Sequence, residues 1–256
     1  MYFDLDTFVL DAAQAVCIAL PAAGIPAVLL RLGGRAWALL APLSLIGTLV
    51  AIAVVPTSAD LLSWVALLLV PPGCALALGW AAHGARPWLA LLTIPLLAAA
   101  FAGPEDALGR AARIVLIIGS TATAGRLLAG GAPLTLLKLG VIAMATLDAI
   151  LVLGNQFDEQ FAGFDAALPD TGLPQLQLAR VGHVATDYGD YFIAGLVGAI
   201  LAAERGPQFA AAVAMLPVAE AWNQLFLVVD SLPNTTAPAL VLIGAEVWRR
   251  RVMVTA

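Results

Sequence analysis

Val141-Ile142-Ala143-Met144-Ala145-Thr146-Leu147-Asp148-Ala149-Ile150-Leu151-Val152-Leu153 holds one carboxylate in an otherwise apolar run, and nothing local neutralises it. The run belongs to a stretch at 136–155, and a helix of about 20 apolar residues is enough to cross a bilayer. An aspartate at mid-helix in hydrocarbon costs about 3 kcal/mol, so it faces protein or a wet cavity and is a functional candidate by default. The stretch predicts a membrane helix and marks Asp148 at once.

Similar stretches recur at roughly 8–30, 36–55, 61–82, 87–102, 113–130, 184–203, 207–230 and 237–254, making about nine spans in all. Of the 256 residues 62% are apolar and 11% charged, and the mean hydropathy is +0.97. A soluble domain carries about 25% charged residues, so lipid is the solvent for most of this surface. The expected fold is all-α: a polytopic transmembrane helix bundle forming one membrane domain over 1–256. Its first five spans (about 8–130) would serve as scaffold and its last four (about 136–254) would carry the chemistry. The stretch at 87–102 is the shortest. No repeat of fixed period is apparent.

Most connections are short and carry turn residues, such as Gly33-Gly34, Pro56-Thr57-Ser58 and Gly130-Gly131. The exception runs from Gln156 to about Gly182 and is acidic, with Asp158, Glu159, Asp165 and Asp170. It is expected to be solvated and is placed to gate a site beneath it; Gln175 to Ala179 could pair with a substrate strand. The basic residues are scattered apart from Arg249, Arg250 and Arg251, which disfavours a nucleic-acid partner. Cys17 and Cys74 lie inside apolar runs and read as small hydrophobes, not as metal ligands or a disulfide. The N-terminus is acidic where a signal peptide is positive, so the first stretch is expected to remain as a helix.

Orientation follows from Lys and Arg placement. With the N-terminus outside, Arg31, Arg35, Arg86, Arg126, Lys138, Arg205, Arg249, Arg250 and Arg251 lie on the inner side, against Arg110, Arg113 and Arg180 on the outer. Nine against three favours N-out and C-in by the positive-inside rule, in a bacterial or archaeal cell membrane. Arg126 and Lys138 fall inside their spans and are expected to snorkel to the inner face.

A second acid, Asp190, follows Asp187-Tyr188-Gly189 near the start of the seventh stretch. Counting from span ends near Asn155 and Val184, Asp148 and Asp190 both lie roughly 10 Å below the same face at 1.5 Å per residue. Consecutive antiparallel spans are usually neighbours, and Gly189 would let their backbones approach closely. Two carboxyls about 3 Å apart in a poorly solvated site share one proton. The ionised one can activate water and the protonated one can polarise a carbonyl, which is general acid–base hydrolysis without metal or cofactor.

Asp148 in the sixth stretch, Gly189-Asp190-Tyr191-Phe192-Ile193 in the seventh and Pro238-Ala239-Leu240 heading the ninth resemble a known pattern. It is that of the presenilin and signal peptide peptidase family of GxGD intramembrane aspartyl proteases, in a small bacterial form. The resemblance is specific to about 136–245. It implies a nine-span presenilin-like fold with Asp148 and Asp190 as the catalytic pair. Pro238, Ala239 and Leu240 would then shape the site, with irregular backbone around Pro238 offering polar groups to an unwound transmembrane-segment substrate. Two departures stand out: Asp187 replaces the first motif glycine, and no tyrosine precedes Asp148. Asp187 lies on nearly the same helical face as Asp190 and would tune the pair's proton affinity or mark the wet mouth of the site. The orientation resembles signal peptide peptidase and implies single-span substrates with a cytoplasmic N-terminus, including remnant signal peptides.

Paired membrane acids also serve proton- or ion-coupled transporters, with Asp148 and Asp190 as coupling acids. The Pro-Ala-Leu placement favours the protease. Among other polar residues, Asp11 is expected to reach the interface, and Glu220, Asn223 and Gln224 to bond between helices. Glu246 is expected to pair with Arg249 and Arg250, and His83 and His183 to be interfacial. Trp37, Trp64, Trp80, Trp88 and Trp248 read as a membrane belt.

Overall fold

The computed structural model describes residues 4–22, 34–154, 158–170, 172–229 and 231–255. Expectations that fall on 23–33, including the second half of the first stretch and Arg31, lie outside the described residues. So do those on 155–157.

The chain is an all-α, multi-span helical bundle of the kind polytopic membrane proteins build. Helix α1 (Leu5–Ala19) is capped by Asp4, whose carboxylate accepts from Thr7 Oγ1 at 2.7 Å and from the N–H groups of Asp6 and Thr7. Helix α2 (Leu40–Val54) follows a 3₁₀ turn at Arg35–Leu39. Helix α3 (Ser58–Leu76) contains Pro71 and Pro72 and runs into a π-helical turn at Ala77–Ala81; a proline takes away a backbone donor and its ring crowds the preceding turn. A 3₁₀ turn, Pro87–Leu92, leads into α4 (Thr93–Ala102). Next come α5 (Ala107–Gly131), α6 (Leu134–Leu153) and the short α7 (Asp158–Ala166).

Two strands, β1 (Leu178–Val181) and β2 (Val184–Asp187), precede α8 (Tyr188–Ala203). Then follow α9 (Gln208–Asn223), with a 3₁₀ tail at Gln224–Leu227, and α10 (Thr236–Thr255). Helical segments at Arg35–Val54, Ser58–Ala81, Ala107–Gly131, Leu134–Leu153 and Gln208–Leu227 are long and apolar enough to cross a membrane. Pro87–Ala102 and Tyr188–Ala203 are shorter apolar helices.

The hairpin corrects the expected start of the seventh span. Residues 184–187 are strand, not helix, in antiparallel register Leu178↔Asp187 and Val181↔Val184. Val181, Val184 and Thr186 are β-branched and suit a strand, and Gly182, at φ +54°, supplies the left-handed turn. His183 in that turn faces Asp6 (3.3 Å) and Asp4 (3.7 Å), fastening the hairpin to the start of α1. Among the described residues these three bring their ligand atoms within 4.8 Å of one another; His183 is exposed, and Asp4 is already committed to its cap.

Helix α8 is the buried centre, with Tyr191 and Ile193 to Leu201 all inside, packed on α5, α1, α6 and α10. Small residues let helices meet at backbone distance in a membrane, where packing replaces the hydrophobic drive. A Cβ on Gly195 would lie 2.7 Å from the Thr121 carbonyl oxygen, and one on Gly198 would collide with the Ile18 carbonyl. On Gly189 a Cβ would sit 3.6 Å from Met144 Cε, an ordinary contact. The close approach expected at Gly189 therefore occurs deeper, at Gly195 and Gly198.

Both internal cations have partners inside the bundle. Lys138 Nζ contacts Glu204 Oε1 at 2.7 Å and Glu246 Oε1 at 2.6 Å, while Arg249 pairs with both glutamates. This four-charge cluster ties α6, α8 and α10 together at one end. Arg126 is buried, its Nη1 donating to the Ala199 carbonyl at 3.4 Å. Asp11, expected at the interface, accepts from Asn223 Nδ2 at 2.8 Å and joins α1 to α9. Cys17 and Cys74 are fully buried free thiols.

Candidate active site

Asp148 lies near the end of α6, and Asp190 lies in the first turn of α8. The depth argued for Asp190 from a helix starting at Val184 does not hold, because that helix begins at Tyr188. The two helices pack against each other and α10 packs on both. A cavity of about 790 Å³ opens where they meet, and Asp148, Asp165, Asp187 and Asp190 all line it. Its other wall is the connection between α9 and α10, including Ser231, Leu232, Pro233 and Asn234.

Each acid is held by a named donor. Thr235, itself buried, donates its hydroxyl to Asp148 Oδ2 at 2.6 Å. Asp190 accepts from the side chain of Asn234 and from the backbone N–H of Asp187. The second bond is one half of a capping box, in which the third helical residue reaches back to the N-cap amide. Asp187 occupies the N-cap position, yet its own carboxyl makes no capping bond. It turns instead to Asp165, with which it shares a hydrogen bond.

Burial holds the Asp165 carboxyl above the ordinary carboxylate range, while Asp187 and the Arg180 guanidinium pull it back. Two glutamine amides fix the segment behind it: Gln177 Nε2 donates to the Ala167 carbonyl at 2.6 Å and Gln175 Nε2 to the same oxygen at 2.9 Å. Gln175 to Ala179 thus begins the chain's own hairpin instead of standing free.

No family model matches the chain, and neither curated proteins nor solved structures yield a match.

A second, apolar cavity of about 460 Å³ lies on the other side of the α8 start, between α2, α3 and α5. Asp187 lines both cavities, and Gly189, Tyr188 and Met144 line the apolar one. Pro238 and Ala239 are buried in the first turn of α10, while Leu240 is 44% exposed. The non-helical backbone expected around Pro238 lies upstream, at 228–229 and 231–235, and the polar atoms facing the acids come from Asn234 and Thr235. Sequence reasoning missed these two and Asp165. The polar run Asn234-Thr235-Thr236, set between apolar segments, was the available signal for the first two.

Proposed function

We propose that this protein is an intramembrane aspartyl endopeptidase that hydrolyses peptide bonds in transmembrane segments, with Asp148 and Asp190 as the acid–base pair. The observation that carries the reading is that these two acids, from neighbouring helices, line one cavity and are each held by the connection that enters α10. In that arrangement the ionised carboxyl takes a proton from water as the oxygen attacks the peptide carbonyl. The protonated one hydrogen-bonds the carbonyl oxygen, then passes its proton to the leaving amine as the C–N bond breaks. The two carboxyls would draw together when substrate fills the cavity they share.

The apolar cavity beside Gly189 supports a hydrophobic helical substrate, since its walls are side chains of α2, α3 and α5 and it abuts the acidic cavity at Asp187. We read the fold as presenilin-like with nine spans, oriented N-out and C-in, and Pro238, Ala239 and Leu240 as the turn that aims Asn234 and Thr235. The test is cleavage of a single-span reporter by the purified protein in detergent or liposomes. Asp148→Ala and Asp190→Ala should each abolish product formation while still unfolding cooperatively, with a fall in melting temperature no larger than the lost hydrogen bonds from Thr235 and Asn234 explain. Full cleavage by both variants would refute the reading and return the acids to a transport role.

A further inference from the structure

The residue that breaks the motif, Asp187, makes an unusual choice. An aspartate at an N-cap normally accepts from the amides of the first helical turn, but this one leaves them and meets a second carboxyl, Asp165. A hydrogen bond between two carboxyl groups needs one proton between them; with both ionised they repel. Asp165 belongs to α7, which borders the acidic cavity through Ala162 and Asp165. Among the described residues helix α7 is lightly anchored: Phe164 and Ala167 touch a small cluster with Ile52, Ala59 and Leu62, and Gln175 and Gln177 hold its end. Segments with few buried contacts open at low cost.

We infer that Asp165 is a positioning residue which, by sharing a proton with Asp187, latches α7 over the cavity of Asp148 and Asp190 and releases it as pH rises.

Released, Asp187 can turn to the amides of Gly189 and Asp190, the usual partners of an N-cap side chain, so the open arrangement is also satisfied. The groups facing the pair favour this sense. Asp148 on α6 and Asp190 on α8 line the same cavity and add negative charge, and among the described residues Arg180 on β1 is the cation acting on Asp165. Helix α2 brings no titratable residue, and Asp60 on α3 is exposed. Among its described residues the connection before α10 brings none either. The sign is fixed by linkage: the closed form binds the shared proton more tightly than the open form, so closure holds at low pH and is lost as pH climbs through the raised value.

The test reads access to the cavity directly and does not need cleavage. Val152 lines the cavity, and Cys17 and Cys74 are fully buried, so Val152→Cys gives a site for a membrane-impermeant maleimide. Its rate is divided by that of Glu105→Cys, an exposed reference, at each pH from about 5 to about 8. The normalised rate should rise about tenfold or more in the parent. It should stay low and flat in Asp165→Asn, whose amide can bond Asp187 without a shared proton, and high and flat in Asp165→Ala. A flat profile in the parent, or a parent-like rise in Asp165→Asn, would overturn the latch. The inference leans on the proteolytic reading only for what the cover protects. If Asp148→Ala cleaves the reporter normally while labelling behaves as described, the protease fails and the latch stands.

Discussion

Thr235 donates its hydroxyl to Asp148 across 2.6 Å, joining the head of α10 to the acid on α6 by a bond buried at both ends. A hydrogen bond to a charged group contributes about 1.5–3 kcal/mol, roughly twice a neutral one. If Asp148 works as the carboxylate, Thr235→Val should lower kcat/KM by about ten- to a hundredfold, at 1.4 kcal/mol per decade. Thr235→Ser should retain most of the activity. Reporter cleavage measures both, and a melting curve checks that the valine variant is folded.

Close packing gives a sharper contrast. A side chain at Gly195 has nowhere to go, because its Cβ would press on the Thr121 carbonyl and that backbone belongs to the best-packed helix pair. Gly195→Val should fail to accumulate or should melt lower by more than about 10 °C, as overpacking between rigid backbones costs several kcal/mol. Gly189→Ala meets only the flexible end of Met144 and should shift melting by less than about 2 °C. Thermal unfolding of the two purified variants in the same detergent decides it.

These contrasts show what a linear reading of the chain can and cannot reach. Apolar stretches separated by turn residues are set by hydrocarbon thickness, a one-dimensional constraint, so most helices here fall on them. Asp148 stood out for the same reason, since a lone charge in such a run has no local excuse. The hairpin did not, because Val184 and Ala185 lead toward the apolar helix with no proline or glycine before Gly189, and only Gly182 marks the turn. Partners chosen by tertiary contact were also hidden. Lys138 meets Glu204 and Glu246 across 66 and 108 residues, and Asp187 meets Asp165 through a fold in the acidic connection. The roles of Thr235 and Asn234 come from where α10 happens to point, which no spacing in the sequence encodes.

The Lys138 cluster is the next test. Its lysine and both glutamates are mostly buried, with side-chain exposures of 14%, 15% and 19%. Removing one partner of a buried ion pair strands the other and costs about 3–5 kcal/mol. Lys138→Met should therefore destabilise strongly, with a melting point lowered by about 6–20 °C at 2–4 °C per kcal/mol. Adding Glu204→Gln and Glu246→Gln should recover much of that loss, because the charge then left in the cluster is Arg249, which at 36% exposure can reach solvent. If the triple melts as low as the single variant, the cluster's cost lies in packing and not in charge.

Orientation can be tested at the two ends of one helix set. Asp148, Asp190 and Thr235 gather where α6 ends and α8 and α10 begin, while Lys138, Glu204, Glu246 and Arg249 gather at their opposite ends. The inner side inferred from the basic residues is the Lys138 end, and Arg249, Arg250 and Arg251 follow it. Alkaline phosphatase, which is active only outside the cytoplasm, should be silent when fused after Ala256 and active when inserted after Asp170. Activity in the first fusion would place the acidic cavity toward the cytoplasm and reverse the class of substrate it can receive. The short helical segment Pro87–Ala102 is where such an inversion would begin. Insertions at Gly84 and Gly103, on either side of it and expected to be silent and active, separate a full inversion from a re-entrant fourth segment: inversion exchanges the two readings, whereas a re-entrant segment leaves both silent.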